Sequence, residues 1–135
     1  VLDIMGTDID ARMVEIAKEN AQKAGVASDI TFKQMRVQDL RSDKINGVII
    51  SNPPYGERLS DDAGVTKLYA EMGEVFAPLN TWSKFILTSD ENFEKKFGRQ
   101  ADKKRKLYNG TLKVDLYQFF GERVRRQATS EKGNI

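Results

Sequence analysis

The run Gly47-Val48-Ile49-Ile50-Ser51, followed at once by Asn52-Pro53-Pro54-Tyr55, limits the possible folds more than any other stretch of the chain. A short continuous apolar run bounded by turn formers reads as a strand buried on both faces, the pattern of a parallel sheet with helices on its two sides. Prolines cannot continue a central ladder, and the residue before a proline is pushed to extended geometry. The strand therefore ends in a stiff loop at its carboxyl tip.

The neighbouring segments agree with that frame. Residues 2–7 make a short strand, Asp10 is a helix N-cap, and Met13, Val14, Ala17, Ala21 and Ala24 recur at helical spacing up to Gly25. Residues 30–35 alternate as a second strand. Beyond the proline loop, Val65, Leu68, Tyr69, Met72, Val75 and Phe76 give an amphipathic helix that stops at Pro78, and residues 82–88 give another strand. A short helix over residues 90–97 closes at Gly98, and two extended runs flank Asn109-Gly110, a strong hairpin signal. Strands alternating with helices predict an α/β, Rossmann-like sheet, mostly parallel, with an antiparallel strand in the C-terminal hairpin.

Length allows one domain in 135 residues, with the core in residues 1–122 and a polar, fraying tail over residues 123–135. The chain opens on Val1-Leu2-Asp3-Ile4-Met5, strand-like from the first residue, and reads as a piece of a longer protein whose sheet is incomplete at its N-terminal side. With neither cysteine nor histidine, disulfides, thiolate chemistry and zinc sites built from those ligands are excluded. The net charge of +2 selects no partner. No apolar run approaches the roughly 20 residues of a membrane span and no signal-peptide pattern opens the chain, so the expectation is a cytoplasmic protein without membrane contact.

In an open parallel sheet, ligands gather at the carboxyl ends of the strands. Asp8, Asp39 and the loop from Asn52 to Tyr55 fall there. A carboxylate at such a tip can accept from both hydroxyls of a ribose; each aspartate alone reads first as a turn, capping or loop residue, and their joint placement at strand ends favours the ligand reading. The proline loop carries sharper chemistry. A planar amine on a base or amide is a poor nucleophile because its lone pair is delocalised, so a site that alkylates it must grip both N–H groups and bend the nitrogen toward tetrahedral geometry. The Asn52 side-chain oxygen and a neighbouring backbone carbonyl are two acceptors without a strong base, the prolines fix the carbonyl's angle, and Tyr55 offers a face on which an extruded base can stack.

On these residues the chain resembles the class I S-adenosylmethionine-dependent amino-methyltransferases with an Asn-Pro-Pro-Tyr motif. More narrowly, "SNPPYGERL", "GTDID" followed by "ARMVEIAKENAQKAG", and "KKRKLYNG" are similar to the ribosomal-RNA guanine-N2 methyltransferases that carry a THUMP domain, a family often labelled N6-adenine-specific DNA methylase. The resemblance covers residues 4–120. It implies that S-adenosylmethionine is the cofactor, with Asp8 on its ribose, Ile9 on its adenine ring, Asp39 at the adenine amino group and Asn52 at the boundary between cofactor and acceptor. It assigns Asn52, Pro53 and Tyr55 to the target amine and base, and leaves Glu57 and Arg58 as a loop-stabilising pair or a substrate contact. The chain departs from the family in lacking the glycine-rich loop, which is expected upstream together with the first strand, so that this piece alone is expected to be inactive.

Lys95, Lys96, Arg99, Lys103, Lys104, Arg105 and Lys106 put seven cations into twelve residues. Such a run is often only a solvated face, but beside a base-gripping loop it suggests phosphate contact, with Arg123, Arg125 and Arg126 able to extend it. The Tyr117, Phe119 and Phe120 cluster reads as core. The expected partner is ribosomal RNA and the expected product N2-methylguanine. The alternatives are an adenine-N6 DNA methyltransferase, a protein glutamine methyltransferase gripping a side-chain amide, and a nucleic-acid-binding module without catalysis.

Overall fold

The computed structural model describes residues 2–54 and 62–124. Tyr55, Gly56, Glu57, Arg58 and the tail beyond Val124 lie outside them. The chain divides into two compact units, Val1–Arg41 and Ser42–Ile135.

In the first unit, β1 (Ile4–Asp8) and β2 (Ile30–Gln34) pair in parallel from Ile4↔Ile30 to Asp8↔Gln34, joined by α1 (Ala11–Lys23). Asp10 caps α1 as its sequence position suggests: its backbone is extended, and its Oδ1 accepts from the Arg12 N–H at 2.9 Å. The Arg12 guanidinium bonds the same carboxylate and, with that backbone donor, holds the Asp10 carboxyl below its usual pKa. Val14 and Ala21 are the buried positions of α1, one helical face seven residues apart.

The second unit holds β3 (Val48–Ser51), α2 (Asp62–Phe76), β4 (Ser83–Thr88), α3 (Phe93–Phe97), β5 (Lys103–Asn109) and β6 (Leu112–Phe119), with strands in the order β3-β4-β6-β5. β3 and β4 run parallel, whereas β6 is antiparallel to both β4 and β5. The expected α/β architecture with a terminal hairpin is present. Its antiparallel share is larger than the sequence suggests, because the second hairpin strand, not the first, takes the place beside β4. The hairpin turn is displaced by one residue as well. Asn109 pairs with Leu112 as the last rung, and Gly110, at φ +67°, fills the first of two turn positions, as a II′ turn requires.

Burial alternates along β4, and Ile86 and Thr88 share a face with Tyr117 and Phe119 of β6. Onto this face pack the helices. Phe93 of α3 lies 5.0 Å from the Tyr69 ring, 4.9 Å from Phe97 and 4.8 Å from Tyr117. Tyr117 and Phe119 are core, as expected, while Phe120 is half exposed against Phe85. α2 and α3 meet where Gly73 lies against the Phe97 carbonyl, which a Cβ at Gly73 would approach to 2.0 Å. Only glycine fits that crossing.

The opposite face of the sheet is different. β3 is expected to be buried on both faces, but Val48 is 58% and Ile50 80% exposed. The correction has a plain cause. β3 pairs only with β4 among the described strands, and the helices of this unit pack on the other face.

Candidate functional site

Ser51, the last residue of β3, stands opposite Ile86 of β4, so the proline loop leaves the sheet at the carboxyl ends of two parallel strands. Asn52 is exposed, Pro53 is buried and Pro54 is half-buried. The loop is tied down by its carbonyl: the Tyr69 hydroxyl of α2 donates to Pro54 O at 2.7 Å and lies 3.0 Å from Thr88 Oγ1 at the end of β4. Thr88 Oγ1 in turn accepts the Asp90 N–H at 3.1 Å.

Asp90 is itself gripped from several sides. Its Oδ1 accepts from Asn92 N and its Oδ2 from Lys96 Nζ at 2.6 Å, with both side chains mostly buried. The Tyr117 hydroxyl, kept protonated by burial that raises its pKa, donates to Asp90 O at 3.1 Å. The carboxyl ends of β3 and β4 thus form a stiff, satisfied hydrogen-bonded corner with an exposed asparagine at its tip. Two acceptors on a rigid frame, one of them the Asn52 amide oxygen, can hold a planar amine.

In the first unit, Asp8 ends β1 and its Oδ1 accepts the Asp10 N–H at 2.8 Å, while Oδ2 has no partner among the described residues. Ile9, beside it, is 65% exposed, an apolar surface next to a carboxylate. The Ile9 carbonyl is fixed by Gln34 Nε2 at 3.1 Å. Asp39 closes a short 3₁₀ turn, Val37–Asp39, and the Arg36 guanidinium bonds both its carboxylate oxygens at 3.1 and 2.9 Å. Those bonds hold the Asp39 carboxyl below its usual pKa. A free carboxylate oxygen and an apolar face side by side fit a nucleoside's ribose and base.

The cations of the basic segment differ in their partners. Lys96 turns inward to Asp90, Lys104 pairs with Glu94 at 3.2 Å, and Arg99 lies 3.6 Å from Asp102 and 5.5 Å from the Phe119 ring centroid. Lys95, Lys103, Arg105 and Lys106 have no ion pair among the described residues. Strand alternation puts Lys103 and Arg105 on one face of β5 and Lys104 and Lys106 on the other. Arg125 and Arg126 lie outside the described residues.

Sequence reasoning missed Tyr69, Thr88 and Lys84. Tyr69 sits where helical spacing demands an apolar residue, so its hydroxyl carries no signal in the pattern. Lys84 is 3% exposed on β4, without a hydrogen bond or ion pair among the described residues, and burial, with the Arg99 charge nearby, lowers its pKa.

The known proteins that this chain is similar to are methyltransferases, named for RNA in some cases and for DNA adenine in another. Residues 1–118 match the UPF0020 family model, described as an RMKL-like methyltransferase domain. The chain is 54% identical over 129 residues to YpsC of Bacillus subtilis, named "Putative RNA methyltransferase", covering 95% of this chain and 34% of that protein. It is 38% identical to the ribosomal RNA large subunit methyltransferase K/L of Shewanella amazonensis, covering 99% of this chain and 20% of that one. Among solved structures, SMU.472, crystallised with S-adenosylhomocysteine (SAH), superposes with a TM-score of 0.88 at 68% identity, over 92% of this chain and 33% of that one. The chain spans about a third or less of the length of these relatives.

Proposed function

The chain belongs to the RMKL-like methyltransferase family, and from that premise we propose that it supplies the acceptor-gripping part of an enzyme that methylates the exocyclic amine of a base, guanine N2 of ribosomal RNA. One observation carries this reading: Asn52 stands exposed on a loop whose next residue is buried and whose second proline is anchored by its carbonyl. Such a loop is built to present acceptors at a fixed angle.

When bound, S-adenosylmethionine supplies an electrophilic methyl group and takes up the electron pair of the broken sulfur–carbon bond. Asp8 and Ile9 offer it a ribose acceptor and an adenine platform, and Asp39, kept ionised by Arg36, offers an acceptor for the adenine amino group. Asn52 Oδ1 and the Pro53 carbonyl accept from the two N–H groups of the target amine, which favours a pyramidal nitrogen with its lone pair free. Tyr55 stacks on the extruded base. Asn52, Pro53 and Pro54 carry no basic side chain, so these acceptors orient the amine without taking up its proton. The cations of β5 contact phosphates, sequence-independently.

The reading is tested in the full-length protein with purified ribosomal RNA and labelled cofactor. N2-methylguanine should form, and Asn52→Ala should lower kcat by at least about a hundredfold, the loss typical of a deleted transition-state contact. N6-methyladenine in DNA with no product in ribosomal RNA would overturn the choice of substrate.

A further inference from the structure

The hydrogen-bond directions around Tyr69 can be read off from valence. A carbonyl only accepts, so the single proton of the Tyr69 hydroxyl goes to Pro54 O at 2.7 Å. The 3.0 Å contact with Thr88 must then run from the threonine hydroxyl to the tyrosine oxygen, and the remaining capacity of Thr88 Oγ1 accepts the Asp90 N–H at 3.1 Å. Every member points the same way, from Asp90 through Thr88 and Tyr69 to Pro54. Tyr69 and Thr88 are both fully buried, and the Tyr69 ring is held edge-on by Phe93 at 5.0 Å. A buried chain whose bonds all run one way holds the carbonyl it ends on in a defined direction.

We propose that Tyr69 is a positioning residue for methyl transfer: with Thr88 behind it, it locks the Pro54 carbonyl and so sets the orientation of the Asn52 and Pro53 acceptors one and two residues before it. The proposal rests on the assignment of those acceptors made above. It follows from covalent geometry. Pro54 has a fixed φ, so pinning its carbonyl also pins the peptide plane that joins it to Pro53. The amine is thereby offered a prealigned pair of acceptors, and the cost of aligning them is met by folding the core, not by binding substrate. Through this carbonyl α2 and β4 bear on the acceptor loop.

The test uses the full-length enzyme and four variants, Tyr69→Phe, Thr88→Val, Thr88→Ser and Asn52→Ala, with kcat, the KM for RNA, the dissociation constant for S-adenosylhomocysteine and the melting temperature measured for each. Tyr69→Phe keeps the ring and its packing. It should lower kcat by about ten- to a hundredfold, the scale of a small misplacement of reacting groups, while affinity for S-adenosylhomocysteine stays within twofold. Thr88→Val should show the same kcat loss, and Thr88→Ser, which keeps the hydroxyl, should restore kcat to near the wild-type value. The Thr88 pair decides the matter even if Tyr69→Phe fails to fold. Wild-type kcat in Tyr69→Phe or Thr88→Val, with Asn52→Ala inactive, would overturn the positioning role and leave the acceptor assignment standing. An equal loss in kcat and in affinity for S-adenosylhomocysteine overturns it too, since that is the mark of general loosening. Full activity in Asn52→Ala would remove the acceptor assignment and this inference with it.

Discussion

The two units bury their apolar side chains very differently. In the first, α1 and a two-stranded sheet bury only Val14 and Ala21 among the described residues, and Ile4, Met5, Ile9, Met13 and Ile16 stay exposed. In the second, Tyr69, Met72, Phe76, Phe93, Tyr117 and Phe119 form a shared aromatic core between helices and sheet. A two-stranded sheet alone is marginal in water, whereas four strands packed on helices can hold their own geometry. The rigid, satisfied corner at the end of β3 and β4 therefore sits on the better-built scaffold. The residues proposed above for the cofactor's nucleoside sit on the sparser one.

Native-state hydrogen exchange reads this contrast directly, with amides of β4 and β6 expected to be better protected than those of β1 and β2. The largest change should come from Phe93→Ala, which empties the centre of the aromatic cluster and costs about 4 kcal/mol. Protection of β4 and β6 should then fall toward the level of β1 and β2. Unchanged protection would mean that the aromatic core is not what separates the units.

Lys84→Met sharpens the same contrast from the other side. The folded-state pKa of Lys84 is lowered from 10.5 by burial, so the unfolded chain holds that proton more tightly. Stability should rise with pH between the folded value and 10.5, and the penalty is fully present below that window. Replacing the amine with a thioether should stabilise the second unit by roughly 1 kcal/mol at neutral pH, a gain that disappears in denaturation curves taken near pH 10.5.

The smallest effect belongs to the first unit. Asp10 has a folded pKa below 3.8, so its cap is fully present above that value and is lost as the pH falls through the folded one. Exchange at the first turn of α1 should accelerate on acidification below pH 3.8, and Asp10→Asn, which keeps a capping oxygen, should remove most of that pH dependence. An acid response equally strong in Asp10→Asn would place its cause elsewhere.

Much of this architecture was legible because its signals are local. Asp10 before α1, Gly98 after α3 and the apolar run into Asn52-Pro53-Pro54 each declare themselves within a few residues. Pairing order left only an indirect trace: residues 103–106 are four consecutive cations, the composition of an edge strand, whereas residues 112–119 alternate, and nothing local names β4 as the neighbour of β6. The anchor of the proline loop was not legible. It depends on Tyr69 and Thr88 meeting across 19 residues of chain, and a helical pattern records that Tyr69 faces inward without recording what its hydroxyl finds there. Lys96 shows the same limit in reverse, since a charge in a basic run gives no hint that Asp90 will claim it.

β5 closes one edge of the four-stranded sheet, and its four consecutive cations, Lys103 to Lys106, project to both sides of it. A second copy of this strand approaching that edge would bring like charges face to face, so the edge is guarded against strand addition. A polyanion laid along β5 would neutralise those cations and lift that repulsion.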